Sequence, residues 1–259
     1  MSLIATCFAL ALVHSPAKAA TDLSAEQILE RAFAKSQVGF QQGTATLEMT
    51  VVSPRGEAKQ RTLYIKAMRG ENGLLRSLVR FQKPAEVAGI AFLVREKKDA
   101  LPDQYVYVPA ARVVRQIAAG NAASSFFGSD FTYADLMPLP ASERDKVKVQ
   151  RLGDSDVGGQ PAYVIEALPQ FEGAPYAKLI TYVHKEHLIP LKVEFFDPAG
   201  KPLKTLSIKK LKKLKNELVP VELMMKNLQV GSRTELEIIS PDPDAKLSDA
   251  DFTEEAMQR

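Results

Sequence analysis

The chain has 259 residues, 46% of them hydrophobic and 25% charged, with no tryptophan and a formal net charge of +3 at pH 7. That near-balance excludes a protein that binds nucleic acid through a globally basic surface. One cysteine, Cys7, excludes an intrachain disulfide framework and a thiolate metal centre.

The N terminus reads as a targeting segment. An apolar run from Leu3 to Val13, then Pro16 and the A-x-A site Ala17-Lys18-Ala19, predicts a secretory signal peptide cleaved after Ala19. The run is too short to span a membrane. Cleavage would remove Cys7, His14 and Lys18; with Lys18 gone from the 34 basic residues and 31 acidic ones remaining, residues 20–259 carry a charge of +2. Cys7 as a lipoprotein acylation site is the minor alternative. An outer-membrane barrel is not expected, because the strands carry Lys and Arg on both faces and the run Thr253 to Arg259 is acidic and non-aromatic.

Ser24 followed by Gln27 forms a capping-box pattern, and Ile28, Leu29, Ala32 and Phe33 fall at helical spacing, which predicts an amphipathic helix ending near Gly39. The period then changes to two. Ala45, Leu47, Met49 and Val51 alternate with polar residues, Ser53-Pro54-Arg55-Gly56 makes a turn, and Leu63, Ile65 and Ala67 return as a hairpin. Further strands are expected near 74–82, 89–96, 104–108 and 112–117, and then at Ala162 to Leu168, Ala177 to His184, Leu191 to Phe196, Leu203 to Leu211, Val219 to Leu228 and Thr234 to Ile239. Pro138 to Asp145 is the nearest approach to a joint, but the strands on both sides have one character, so residues 20–259 are read as a single domain. Such a meander predicts a mainly β protein whose antiparallel sheet curls into a half-barrel, with a concave apolar face that needs a cover.

Between Ala118 and Asp135 the alternation stops, and Phe126, Phe127, Phe131 and Tyr133 crowd around Gly128-Ser129-Asp130. As local structure, Gly128 supplies a turn and Thr132 with Asp135 imitates a capping box for Tyr133 to Met137. A surface cap requires no aromatics, so this insert and the N-terminal helix are the two candidate covers of the sheet. On the sheet, Leu47, Met49, Val51, Leu63, Ile65, Val79, Phe81, Ile90, Phe92 and Val94, with Tyr105 and Tyr107, are either core or the wall of an acyl-chain site. Burying about twelve methylenes there, at ~0.8 kcal/mol each, gives a gross gain of ~10 kcal/mol.

Catalysis finds little support. His184 and His187 read as exposed turn histidines with no third metal ligand beside them. A set of Ser129, His184 and Asp130 lacks the Gly-x-Ser-x-Gly elbow. No enzyme activity, cofactor or metal is expected. The basic run Lys209, Lys210, Lys212, Lys213 and Lys215 is either a solvated hairpin tip or a contact for anionic headgroups or an acidic partner.

Several segments together carry a resemblance: Arg80-Phe81-Gln82-Lys83-Pro84 with Gly89-Ile90-Ala91-Phe92-Leu93; Tyr107-Val108-Pro109-Ala110 with Arg115-Gln116-Ile117; Ser125-Phe126-Phe127-Gly128-Ser129-Asp130-Phe131-Thr132-Tyr133-Ala134-Asp135-Leu136; Ile189-Pro190-Leu191-Lys192-Val193-Glu194-Phe195-Phe196; Gly200-Lys201-Pro202-Leu203-Lys204; and Arg233-Thr234-Glu235-Leu236. The chain resembles the outer-membrane lipoprotein-sorting proteins of the LolA-like superfamily, in the branch often found beside transporters of the resistance-nodulation-division type. The resemblance implies a half-barrel with a helical lid, a periplasmic location, and acyl chains of lipoproteins or other envelope lipids bound in the concavity by a monomeric carrier. An inner-membrane transporter of that type is the implied protein partner, and a non-catalytic sensor or accessory subunit is the alternative role. It also implies a barrel arginine that ties the lid shut, for which the sequence offers no residue-by-residue match.

Overall fold

A computed structural model describes residues 23–34, 42–136, 141–214 and 217–259. The leader expectation for residues 1–19 lies outside these residues.

Thirteen antiparallel strands form one sheet: β1 (Gln42–Val52), β2 (Ala58–Arg69), β3 (Leu75–Lys83), β4 (Ala91–Arg95), β5 (Asp103–Val108), β6 (Val113–Gln116), β7 (Val147–Val157), β8 (Gln160–Pro169), β9 (Lys178–His184), β10 (Pro190–Phe196), β11 (Pro202–Leu214), β12 (Glu217–Asn227) and β13 (Arg233–Asp242). Their spatial order is β6-β5-β4-β3-β2-β1-β13-β12-β11-β10-β9-β8-β7. The first and last strands therefore pair in the middle, with Met49 opposite Leu236, and β6 and β7 become the two open edges. The sheet is curved but does not close. This order has a direct consequence: the segment joining β6 to β7 must pass from one edge of the sheet to the other, and its described residues Phe126 to Leu136 pack on the concave face that carries Phe81 and Phe92.

Period-two alternation fixes which side chains face that hollow. Ala45, Met49, Leu63, Ile65, Val79, Phe81, Phe92 and Val94 from one half pack in the same buried cluster as Val193, Phe195, Val219 and Met225 from the other. Helix α1 (Ala25–Ala32) covers part of the same side. Its capping box is formed, with Gln27 N–H donating to Ser24 Oγ at 3.2 Å and Ser24 N–H to Gln27 Oε1 at 3.0 Å. Buried Ile28 meets Ile165 and Val183, and Ile165 shares its face with Thr181 and Val193 through the strand register. The helix stops at Ala32, with Phe33 as its C-cap, short of the expected end.

The opposite face of β2 to β5 is covered by the C-terminal segment. Phe252 and Met257 bury themselves against Met68, Leu78 and Leu93, and the Arg80 guanidinium donates to the carbonyls of Ala256 at 2.8 Å and Met257 at 3.1 Å. Tyr105 and Tyr107 belong to this cluster, because the register sets them opposite Leu93 and Ala91. That corrects their assignment to the concavity: in β5 it is Val106 that packs into the concave-face cluster.

Candidate functional site: the covered concave face

The insert that crosses the hollow is a small hairpin. Phe126 N–H donates to Phe131 O at 2.7 Å, Ser125 bridges Thr132, and the tip turns through Phe127 and Gly128, both at positive φ, 49° and 75°. Glycine adopts such an angle freely, whereas Phe127 does so at a conformational cost. Helical content in the described part of the insert is confined to one-turn segments, Ala119–Asn121 and Ala134–Leu136. The expected capping box is present at the second: Thr132 N–H donates to Asp135 Oδ2 at 2.7 Å and Asp135 N–H to Thr132 Oγ1 at 3.4 Å. Met137 lies outside the described residues.

Two kinds of contact hold the hairpin down. Towards β3 and β4 they are aromatic: Phe127 meets Phe81 edge-on with ring centroids 4.9 Å apart, and Phe126 meets Phe92 at 5.3 Å. Tyr133 tilts against Phe92 at 5.4 Å, and its burial raises the phenol pKa. The Arg61 guanidinium, half-buried on β2, donates to the Phe127 carbonyl at 2.6 Å and lies 5.8 Å from the centre of the Phe81 ring. Burial pulls the Arg61 pKa down from its ordinary value.

Towards β11 to β13 the contacts are polar. Lys204 on β11, 2% exposed, donates through Nζ to Asp135 Oδ2 at 2.5 Å and to the Asp130 carbonyl at 3.2 Å. Tyr176 donates its hydroxyl to Asp135 Oδ1 at 2.6 Å. Asp130 accepts from Ser232 Oγ at 2.5 Å and from Thr234 Oγ1 at 2.7 Å. Burial lowers the Lys204 pKa against the opposing pull of Asp135, while burial and the Asp135 charge both push the Tyr176 pKa well up.

The ten aliphatic and phenylalanine positions expected on the concave wall, Leu47 to Val94, all pack in the cluster that the insert covers. Phe126, Phe127, Phe131 and Tyr133 pack in it as well. Arg61, Tyr176 and Ser232 are not marked by the sequence reading, and Lys204 and Thr234 enter it only within the segments that carry the resemblance, with no site role. Arg61 carried a usable signal, since it lies in phase with Leu63, Ile65 and Ala67 on one face of β2, where a cation is out of pattern. Lys204 shares its face with Phe195 only through pairing, which no local pattern announces.

A hydrolytic triad is not assembled. Ser129 Oγ is bound to the Phe126 carbonyl at 2.7 Å, Asp130 is held by Ser232 and Thr234, and the His184 ring is engaged by Gln160 at 2.9 Å and by the amides of Glu186 and His187. His184 is also 5% exposed, which corrects its expected place at an exposed turn; His187, 4.7 Å away ring to ring, is the exposed one. Among the described residues no cluster of His, Cys, Asp or Glu suits a metal ion, and no helix is long and apolar enough to cross a membrane. Lys209, Lys210, Lys212 and Lys213 are exposed on β11, where Lys210 pairs with Glu222 at 2.7 Å; Lys215 lies outside the described residues.

An open, curved antiparallel sheet whose hollow is capped by the chain's own edge-to-edge connection defines a LolA-like fold. A domain from Vibrio parahaemolyticus named for outer membrane lipoprotein sorting is 30% identical, with a TM-score of 0.82 over 91% of this chain and 98% of that one. A DUF1329 family protein from Desulfovibrio piger superposes with a TM-score of 0.80 at 24% identity, over 91% and 99% of the two chains. A LolA superfamily protein from Nitrosomonas europaea gives 0.70 at 19% identity, over 91% and 100%. A family model described as an uncharacterized protein matches residues 73–259, and no curated protein matches the chain. The chain belongs to the outer-membrane lipoprotein-sorting domain family and has a LolA-like fold.

Proposed function

We propose that the protein is a non-catalytic periplasmic carrier that takes acyl chains of lipoproteins or other envelope lipids against the concave face of its sheet, beneath the hairpin of residues 118–136. One observation carries the reading. The apolar wall is covered not by a second sheet but by a segment of the same chain, held by aromatic contacts that an acyl chain can replace and by a few directional bonds. Dispersion and burial are non-directional, so a lipid tail lying along Phe81, Phe92, Met49 and Ile65 recovers most of what the displaced phenyl rings lose. Arg61 suits the role of the lid-tying arginine, because it links the sheet to the lid through the Phe127 carbonyl. The signal-peptide pattern of residues 1–19 and the family membership support export to the periplasm. Native mass spectrometry of the protein purified without detergent should recover a bound acyl lipid. Recovery of none, together with no binding of an acylated fluorescent probe, contradicts the carrier role.

The exposed lysines of β11 favour a second reading, an accessory subunit that docks on an inner-membrane transporter of the resistance-nodulation-division type. Charge reversal at Lys209, Lys212 and Lys213 separates the two: loss of transporter association with lipid binding intact supports docking, and intact association removes it.

A further inference from the structure

The side-chain bonds to the insert's two carboxylates share one polarity. The groups that the sheet and its flanking loops bring to Asp130 and Asp135 all donate to them: Lys204 Nζ, Tyr176 OH, Ser232 Oγ and Thr234 Oγ1. Lys204 Nζ also donates to the Asp130 carbonyl, and the one bond that certainly runs the other way is the Asp130 amide N–H donating to Thr234 Oγ1 at 2.9 Å. Asp135 is 5% exposed at its side chain and Lys204 is 2% exposed, with the rings of Tyr176 and Phe195 each 5.3 Å from Nζ. Leu206 and Met225 continue the same wall. When the insert lifts, this nest keeps its donors and loses its acceptors. An ammonium left unpaired on a covered apolar wall is strongly unfavourable. A neutral amphiphile leaves that penalty in place. One with an anionic group removes it.

We propose that Lys204, with Tyr176, Ser232 and Thr234, is an anion-receiving subsite of the acyl-binding hollow, that Asp130 and Asp135 occupy it as resident stand-ins, and that the cargo is therefore an acyl amphiphile bearing a carboxylate or a phosphate. This inference rests on the acyl-binding reading and adds the chemistry of the head. Arg61 does not serve the same purpose: it is half-buried, bonds a neutral carbonyl, and can regain water when the insert moves.

The test compares displacement of a fluorescent acyl probe by matched pairs: palmitate against its methyl ester, and dioctanoyl phosphatidylglycerol against dioctanoylglycerol. The full chain should prefer the charged member of at least one pair by about tenfold or more, as expected for charge-assisted hydrogen bonds. Preference in the first pair identifies a carboxylate cargo, and in the second a phosphate cargo. Lys204→Met should reduce the preference to within about twofold, whereas Asp135→Asn should raise affinity for both members and keep their ratio, since it loosens the cover without altering the donors. Should Lys204→Met fail to melt cooperatively, the pair Ser232→Ala and Thr234→Val replaces it, with the same expected fall in ratio. Equal affinity for charged and neutral members by the wild-type chain, or an unchanged ratio after loss of the donors, overturns the subsite while leaving acyl binding intact. Binding of none of the four overturns both.

Discussion

The two sides of the hollow hold the same insert by different physics. On β3 and β4 the grip is aromatic, Phe126, Phe127 and Tyr133 against Phe81 and Phe92, and its strength scales with area. On β11 to β13 it is a nest of short bonds to two carboxylates, and its strength depends on each partner being in place. An apolar contact tolerates exchange of one greasy occupant for another, while a buried ion pair demands like for like. A cover built this way can yield its apolar side to a guest and still return to one register.

Substitutions can break that contrast from the largest effect to the smallest. Asp135→Ala leaves Lys204 buried without its carboxylate and should destabilise the protein by about 3–5 kcal/mol in chemical denaturation. Phe126→Ala removes the 4%-exposed ring at the centre of the aromatic side. It should cost about 3 kcal/mol, with acyl-probe binding retained or strengthened, because the vacated space suits a chain. Arg61→Met removes one charge-assisted bond at a half-buried site and should cost about 1–2 kcal/mol. Its signature is an increased rate of probe association, measured by stopped flow. If Asp135→Ala proves as mild as Arg61→Met, the polar side is not a latch.

His184 lies outside both regions and serves as a control. Its Nδ1 accepts the amides of Glu186 at 3.1 Å and His187 at 3.2 Å, so protonation there breaks the turn before β10. Burial, and then the neighbouring His187, lower its pKa. The unfolded chain therefore binds the proton more readily: stability is fully present above pH ~6.5 and declines as pH falls towards the lower folded value. Thermal melting between pH 7.5 and 5.5 should show this slope, and His184→Gln should flatten it without altering probe binding.

Much of the fold was legible because alternation marks a strand with one buried face. Leu47 to Val51 and Leu63 to Ala67 announce β1 and β2 that way, and Ser24 with Gln27 announces the helix start. Strand β7 carries no clear alternation because it is an edge strand with little to bury: Lys148, Gln150, Arg151 and Leu152 are exposed, and the register shifts between Arg151 and Gly153. Tyr105 and Tyr107 pack on the convex face, against the expectation, because an aromatic-rich strand gives no sign of which side is concave; the covering C-terminal segment decides it. The insert stood out as a run of aromatics, but its polar anchors did not. Lys204, Tyr176 and Thr234 come from three separate stretches that only the sheet brings together around Asp130 and Asp135.

The central claim is that the hairpin must leave the sheet before a chain can enter. The Asp130 amide lies 2.9 Å from Thr234 Oγ1, so Asp130→Cys with Thr234→Cys, in a Cys7→Ser background, offers a disulfide between hairpin and β13. Acyl-probe binding should be lost in the oxidised protein and restored by reductant. Equal binding in the oxidised and reduced forms would contradict a moving cover.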